Sequence, residues 1–302
     1  MDWSELRQQL LGNSKEIPLP PNFRLPILPS AVNEFTRKSS DPETSPAVLG
    51  KILETDAGLT VDLLQLVNSS VFSLRSKASS VKHAIAMLGV SRTRNFVLTT
   101  AVQRAMAKNQ SKLINLTQFW SANLEKALFA REIAVLMNVD PDTAYSAGML
   151  QDFMLPALTS ALFDQYSQFV DHQSKEPQLL TIFEQKHFQW DHAVVAAHIA
   201  HQWAFPDDLV CCLHQHHLGL KVMLDPQLSK TVVVPVAISA LLPDPLHQVP
   251  DGIPLLEKLE QAWPAFKLEG LAQKVEADFL EMGGQQAHHI SFRKRLEKHR
   301  AK

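Results

Sequence analysis

The chain has 302 residues, of which 45% are hydrophobic, so it can form the core of one large or two medium-sized globular domains. Glycine is scarce at 10 residues and tyrosine at 2, whereas Leu, Ala, Gln, Lys and Glu are frequent, a balance that favours helices over sheets. The formal net charge of −2 gives no sign of the basic surface with which nucleic-acid-binding proteins contact phosphates. We therefore expect an all-α protein without a nucleic-acid partner.

Cysteine usage and the apolar runs bear on the cellular compartment. Cys211 and Cys212 are adjacent, so they form neither a CxxC redox pair nor a disulfide framework. The first five residues carry acidic rather than basic side chains, and no apolar stretch of the kind found in export signals follows them. The longest apolar run, 231–242, is interrupted by Pro235 and is shorter than the roughly 20 residues that span a bilayer. We expect a cytoplasmic protein that does not insert into membranes.

The first part of the chain divides into an arm and a helical subdomain. Residues 1–23 form the arm: a short amphipathic helix over residues 1–17, followed by closely spaced prolines that prevent regular helix. The N-terminal helical subdomain covers residues 24–110. Within it, apolar spacing and capping residues predict helices that begin near Ser45, Asp56, Ser80 and Ser91.

A polar segment at residues 108–115 precedes a second helical subdomain, which we assign to residues 111–242. Apolar periodicity predicts its helices near 117–138, 141–150, 155–170, 176–187, 191–203, 207–217 and 229–242. Residues 243–302 form a C-terminal helical extension whose basic tail, 293–302, we expect to be a frayed and solvated end.

The order of motifs along the chain resembles that of the HDOD domain family. The N-terminal half matches in four segments: Leu25–Pro29, Ile52–Thr60, Leu66–Ser69 and Ala84–Gly89. The second half continues the resemblance in five more: Phe119–Trp120, Ala147–Asp152, Trp190–His192, Trp203–Pro206 and His216–His217. The resemblance covers roughly residues 24–242 and implies an all-α, HD-like helical bundle of two packed subdomains.

HDOD domains are similar in fold to the HD phosphohydrolases, in which scattered His and Asp side chains bind a metal that activates water. The resemblance places Ala122, Gln151 and Ile238 where three of those metal ligands would stand. Alanine and isoleucine have no lone pair to donate, and a glutamine amide is a poor ligand for transition metals. We therefore predict no metal cofactor and no catalytic residues.

The polar residues that remain at this degenerate centre are Asp152, His192, His216 and His217. On one helix over 207–217, adjacent histidines point in different directions, so we expect at most one of His216 and His217 to face the centre. We expect the centre to have become packing, in which a backbone amide, a helix terminus or one of the histidines holds Asp152 by hydrogen bonds.

Five other residues that the resemblance singles out have simple structural explanations. Asp56 is placed to cap a helix, and Asn68 and Ser69 are placed to end one. Trp203 and Pro206 form a step typical of a large ring packed over a junction between helices.

Arg92 and Arg94 lie in the first turn of their predicted helix, where the helix dipole disfavours cations. Two interpretations stay open at this point. These arginines either contact an anionic ligand or an acidic partner, or they are solvated or paired within the chain.

The absence of catalytic residues, together with the resemblance, indicates a non-catalytic regulatory module of bacterial signal transduction. It would act through a signalling protein, which the sequence does not identify, or through a small ligand. One alternative is a metal-dependent nucleotide phosphohydrolase or cyclic dinucleotide phosphodiesterase with a remodelled site. Another is a receptor whose old active-site cleft binds a nucleotide without hydrolysing it.

Overall fold

The computed structural model describes residues 1–12, 17–20, 23, 25–68, 77–173, 175–282, 284 and 289–301. Every regular element within these ranges is a helix, which confirms the predicted all-α class. The first group of helices is α1 (Trp3–Leu11), α2 (Ser30–Ser39), α3 (Pro46–Leu53), α4 (Ala57–Val67), α5 (Val81–Leu88) and α6 (Val90–Met106).

The second group begins with the longest helix, α7 (Leu116–Met137). It continues with α8 (Pro141–Leu150), α9 (Leu155–Ala161), α10 (Phe163–Gln173), α11 (Leu180–Phe188), α12 (His192–Gln202), α13 (Asp207–Gln215), a 3₁₀ segment (His216–Leu224) and α14 (Val233–Ser239). The C-terminal extension comprises α15 (Gly252–Ala262), α16 (Leu268–Glu281) and α17 (Phe292–Arg300). No helix in the described ranges combines the length and the apolar character that crossing a membrane requires.

Short polar side chains set the starts of several helices. Ser45, Asp56 and Ser80 each accept a hydrogen bond from a backbone N–H in the first turn of the helix that follows, at α3, α4 and α5. The expectation that Ser91 caps the next helix is wrong, because α6 begins at Val90 and Gly89 occupies the cap position. Gly89, with a φ of 83°, ends α5 and directly precedes α6.

Asn68 ends α4 and also ties the chain to a segment ten residues further on. Its side-chain carbonyl accepts from the backbone N–H of Ala78 at 2.7 Å, and its amide donates to the carbonyl of Ala78 at 3.0 Å. The partner residue of the same predicted motif, Ser69, lies outside the described residues.

In the second group, α7 is the central helix and packs against α8, α14 and α16. The approach of α8 is very close at Gly148, where an added Cβ would lie 2.8 Å from the Cα of Ala127. Helix α6 of the first group also packs against α8, so the two groups of helices share an interface. The turn that follows α8 is thereby held against α7, and this turn carries Asp152.

Both ends of the chain pack onto the second group. Helix α1 lies against α12 and α13, where Arg7 forms an ion pair with Asp207 at 2.7 Å. At the other end, α17 packs against α16, and the basic tail is paired rather than frayed. Arg293 contacts Glu276 at 3.0 Å, and Arg300 contacts several glutamates of α15 and α16, which corrects the expectation of a frayed end. Lys294, Lys298 and Arg300 are solvent-exposed, as expected.

The close approach at Gly148 yields a stability prediction. Gly148→Ala should lower the free energy of unfolding by about 1–3 kcal/mol, because the new methyl group forces α8 away from the backbone of α7. Urea denaturation measures this change. The matched control is Gly270→Ala in α16, where the nearest atom to an added Cβ is 3.9 Å away. That variant should be unchanged or more stable by up to about 1 kcal/mol, and equal effects of the two substitutions would contradict the prediction.

Candidate functional site

A cluster of one aspartate and three histidines lies inside the second group of helices. Asp152, His192, His216 and His217 each offer an atom able to bind a metal, and these atoms lie within 4.8 Å of one another. Asp152 stands in the turn after α8, His192 is the first residue of α12, and the other two histidines begin the 3₁₀ segment. The sequence prediction of a degenerate centre built from these residues therefore describes a real spatial cluster, which we call the buried cluster.

The expectation that only one of His216 and His217 faces this cluster is wrong. It assumed one continuous α-helix through residue 217, whereas α13 ends at Gln215 and the chain continues as a 3₁₀ segment. The cluster lies at this helix end, and the two imidazole rings approach to 4.0 Å between centroids. His217 Nε2 lies 2.8 Å from His192 Nε2, and His216 Nε2 lies 3.5 Å from Asp152 Oδ1.

A lysine that the sequence analysis did not consider completes the cluster. Lys126, on α7, donates to Asp152 Oδ2 at 2.7 Å, and both side chains are only 1% exposed. Lys126 lies one turn after Ala122, and residues four apart share a face of a helix. The four-residue spacing between Ala122 and Lys126 is the sequence signal for this contact, although lysine is not a conventional metal ligand.

The ion pair determines the charge states of both partners. Burial raises the pKa of the Asp152 carboxyl, but the Lys126 ammonium and the nearby imidazoles of His192 and His216 outweigh it and hold that pKa well below its ordinary value. Burial likewise lowers the pKa of Lys126, and the charge of Asp152 outweighs it and raises that pKa. Asp152 is therefore ionised and Lys126 protonated at neutral pH.

Two further buried residues hold His192 in place. Glu184 Oε2 accepts from both the backbone N–H and the Nδ1–H of His192, at 3.0 Å and 2.7 Å. The other oxygen of Glu184 accepts from the hydroxyl of Tyr166 at 2.6 Å. Neither Glu184 nor Tyr166 was predicted from the sequence, because their spacing matches no ligand motif.

The imidazoles of His192 and His217 are in opposite charge states. Burial lowers the pKa of His192, but the carboxylates of Glu184 and Asp152 outweigh it and raise that pKa to about 10. For His217, burial and the neighbouring His216 and His192 hold the pKa well below its ordinary value. Protonated His192 can therefore donate through Nε2 to the neutral ring of His217.

The three positions where the resemblance implies missing ligands are all buried. Ala122 and Ile238 are apolar and lie on α7 and α14, two helices that pack against each other. Gln151 is fully buried, and its amide oxygen and nitrogen have no hydrogen-bond partner among the described residues. We expected apolar packing in place of the ligands, and the buried side chains of Ala122 and Ile238 fit this expectation. Gln151 does not fit it, because it is polar and its amide forms no hydrogen bond among the described residues.

The other residues that the sequence analysis singled out contact neighbouring parts of the chain. Arg92 pairs with Asp142 of α8 at 2.7 Å, and Arg94 Nη1 lies 3.4 Å from the hydroxyl of Ser40, after α2. Burial lowers the pKa of Arg94. The ring centroids of Trp203 and Phe153 lie 5.7 Å apart, and Pro206 directly precedes α13.

The fold and the buried His/Asp cluster define an all-helical domain of HD-like architecture. The family model described as the HDOD domain matches residues 25–218, and the chain belongs to this family. An uncharacterized protein of Treponema pallidum (strain Nichols) is 23% identical over 195 residues, which are 64% of this chain and 37% of that protein. The chain thus spans little more than a third of the length of that relative.

Solved structures share the fold over nearly the whole chain. An HDOD domain protein with unknown function from Geobacter sulfurreducens has a TM-score of 0.60 at 18% identity, with 98% of this chain and 92% of that one covered. A candidate phosphohydrolase from Shewanella amazonensis SB2B has a TM-score of 0.66 at 20% identity, with coverages of 90% and 95%. A candidate signal transduction protein from Marinobacter aquaeolei VT8 has a TM-score of 0.60 at 16% identity, with coverages of 93% and 66%.

The residues present do not fit the metal ion that the HD-like fold implies. The Lys126 ammonium occupies one oxygen of Asp152 at 2.7 Å, and a cation there repels a second cation. His192 Nε2 lies 2.8 Å from His217 Nε2, so these two imidazole nitrogens already contact each other. Of the donors in the buried cluster, too few stay free to form a transition-metal site.

The charge state of His192 yields a pH prediction. Its folded pKa of about 10 lies above the ordinary value of 6.5, so its contribution to stability is complete below about pH 6.5 and is lost as the pH rises towards about 10. Long-range ¹H–¹⁵N spectra should show His192 as a cation and His217 as a neutral ring from about pH 6 to about pH 8. His192→Gln assigns the signal, and a midpoint for His192 near its ordinary pKa would contradict the prediction.

Proposed function

We propose that this chain is a non-catalytic regulatory module of bacterial signal transduction, which acts by binding a protein or a small ligand. Membership of the HDOD family and the shared fold of the Marinobacter protein support the signalling context. We also propose a cytoplasmic location, because the free cysteines Cys211 and Cys212 fit a reducing compartment. A nucleic-acid partner is not part of the proposal, because the net charge is −2 and arginines of the basic tail are paired with glutamates.

The observation that carries the proposal is the burial of the Lys126–Asp152 ion pair and of the two histidines beside it. Lys126, Asp152, His192 and His216 are each at most 1% exposed. Hydrolysis by an HD-type centre needs a metal-activated water and an open position that a phosphate ester can reach. In this chain, a lysine holds one oxygen of the carboxylate and both side chains of the pair are buried, which supports a centre without this chemistry.

One observation favours the small-ligand form of the proposal. A cavity of about 260 Å³ opens beside His216 and His217. Its lining is largely apolar, with a few polar side chains that can orient a ligand, as in many small-molecule sites. The apolar lining residues include Leu218, Leu241 and Leu255, and the polar ones include Thr181 and Lys221.

The alternative function is a metal-dependent phosphohydrolase. The four potential ligands of the buried cluster and the fold of the Shewanella protein favour it. For this chain to act in that way, Lys126 would have to leave Asp152 and His192 would have to lose a proton.

An assay of hydrolysis separates the two functions. With manganese or iron supplied, the wild-type chain should not hydrolyse cyclic dinucleotides or a model phosphodiester, and Gln151→His should gain no activity. Asp152→Ala should lower the free energy of unfolding by about 3–5 kcal/mol, because it leaves the Lys126 ammonium buried without a partner. Metal-dependent turnover in the wild type that is lost in folded Asp152→Ala would show that the chain is an enzyme.

A thermal-shift screen separates a small ligand from a protein partner. A nucleotide that fills the cavity at about 100 times its Kd should raise the free energy of unfolding by about 2.7 kcal/mol. Lys221→Ala should reduce that shift if the lysine pairs with the phosphate. If no nucleotide shifts the transition, the nucleotide receptor is excluded, and a protein partner or another small ligand remains the mode of action.

A further inference from the structure

We infer that the Lys126 ammonium is a tethered replacement for a metal ion, so that the chain carries a latent metal site filled by its own lysine. This inference goes beyond the proposed function and holds whichever partner the module binds. The site is the buried cluster, and the latent ligands are Asp152, His192, His216 and His217.

The first argument is the orientation of two histidines. His192 directs Nδ1 to Glu184 at 2.7 Å, and His216 directs Nδ1 to the backbone carbonyl of Leu213 at 2.7 Å. Metal-binding histidines are held in this way, with one ring nitrogen bonded to a carboxylate or a carbonyl and the other directed at the metal. In both residues here, Nε2 is turned towards Asp152, at 3.4 Å and 3.5 Å.

The second argument is the incomplete hydrogen bonding at the centre of the cluster. Asp152 Oδ1 and His216 Nε2 are buried, and neither has a hydrogen-bond partner within the described part of the chain. Buried polar atoms are nearly always paired, so two that point at each other without bonding mark a place where an ion would serve both. Asp152 Oδ2 already has a cation, which is Lys126.

The third argument is the path of the lysine side chain along α7. Side chains on an α-helix lean towards its N-terminus, so the stem of Lys126 extends over the turn that contains Ala122. The side chain at that position is a single methyl group, smaller than the imidazole of a histidine. Ala122 and Lys126 thus share one face of α7, and the cation comes from the residue one turn after the position where the resemblance implies a ligand.

The test is to remove the ammonium and supply a metal. Lys126→Met keeps the length of the stem and removes the charge, so Asp152 is left buried and unpaired. Without metal, its Tm should fall by about 10 °C. With zinc or manganese chloride, most of that loss should be recovered, and after dialysis elemental analysis should find about one equivalent of metal. The wild type should retain no metal and show no shift in Tm.

The matched control is Lys126→Met with Asp152→Asn, which removes both charges. This double variant should fold without metal, retain none and show no metal-dependent shift in Tm. The inference is overturned if the wild type retains an equivalent of metal, or if Lys126→Met is as stable as the wild type without metal. It is also overturned if Lys126→Met stays unfolded or metal-free when metal is supplied, or if the double variant does not fold. None of these outcomes depends on hydrolysis, so the proposed function is tested separately.

Discussion

The ion pair between Lys126 and Asp152 is the interaction on which the rest of the second group of helices depends. Two charges that are 1% exposed cost several kcal/mol each to desolvate, and only a close partner offsets this cost. The pair joins α7 to the turn after α8, and His192 and His216 extend the contact to α12 and the 3₁₀ segment. Glu184 balances the charge of protonated His192. The charges of Lys126 and His192 are thus balanced by those of Asp152 and Glu184, and the side chains of the ion pair itself are closed to solvent.

Helix α7 connects this centre to the C-terminal extension. Glu125, the neighbour of Lys126, points away from the cluster and binds His289 at 2.7 Å and the backbone N–H of Phe292 at 2.9 Å. Successive residues on an α-helix face different directions, so one turn of α7 serves two buried polar contacts on different sides. Helix α7 therefore contacts both the buried cluster and the C-terminal extension.

Much of the fold follows from local sequence. Helix starts at Ser45, Asp56 and Ser80 depend on side chains that cap the backbone within three residues, and such contacts are independent of the rest of the chain. Apolar periodicity marked most of the helices, and the order of motifs marked the family, which the family model confirms. The positions of the missing ligands, among them Ala122, could also be identified from the sequence, because they follow from that order of motifs.

The partners within the centre were decided only by the tertiary structure. Lys126 and Asp152 are 26 residues apart, and they meet because α8 packs closely on α7 at Gly148. His216 and His217 both reach the cluster because α13 ends just before them, a change of winding that apolar periodicity does not show. The sequence by itself determined where most helices form, since helix formation depends on near neighbours, and it determined the family through the order of motifs. Which cation holds Asp152 depends on contacts between distant segments, and packing alone brings these together.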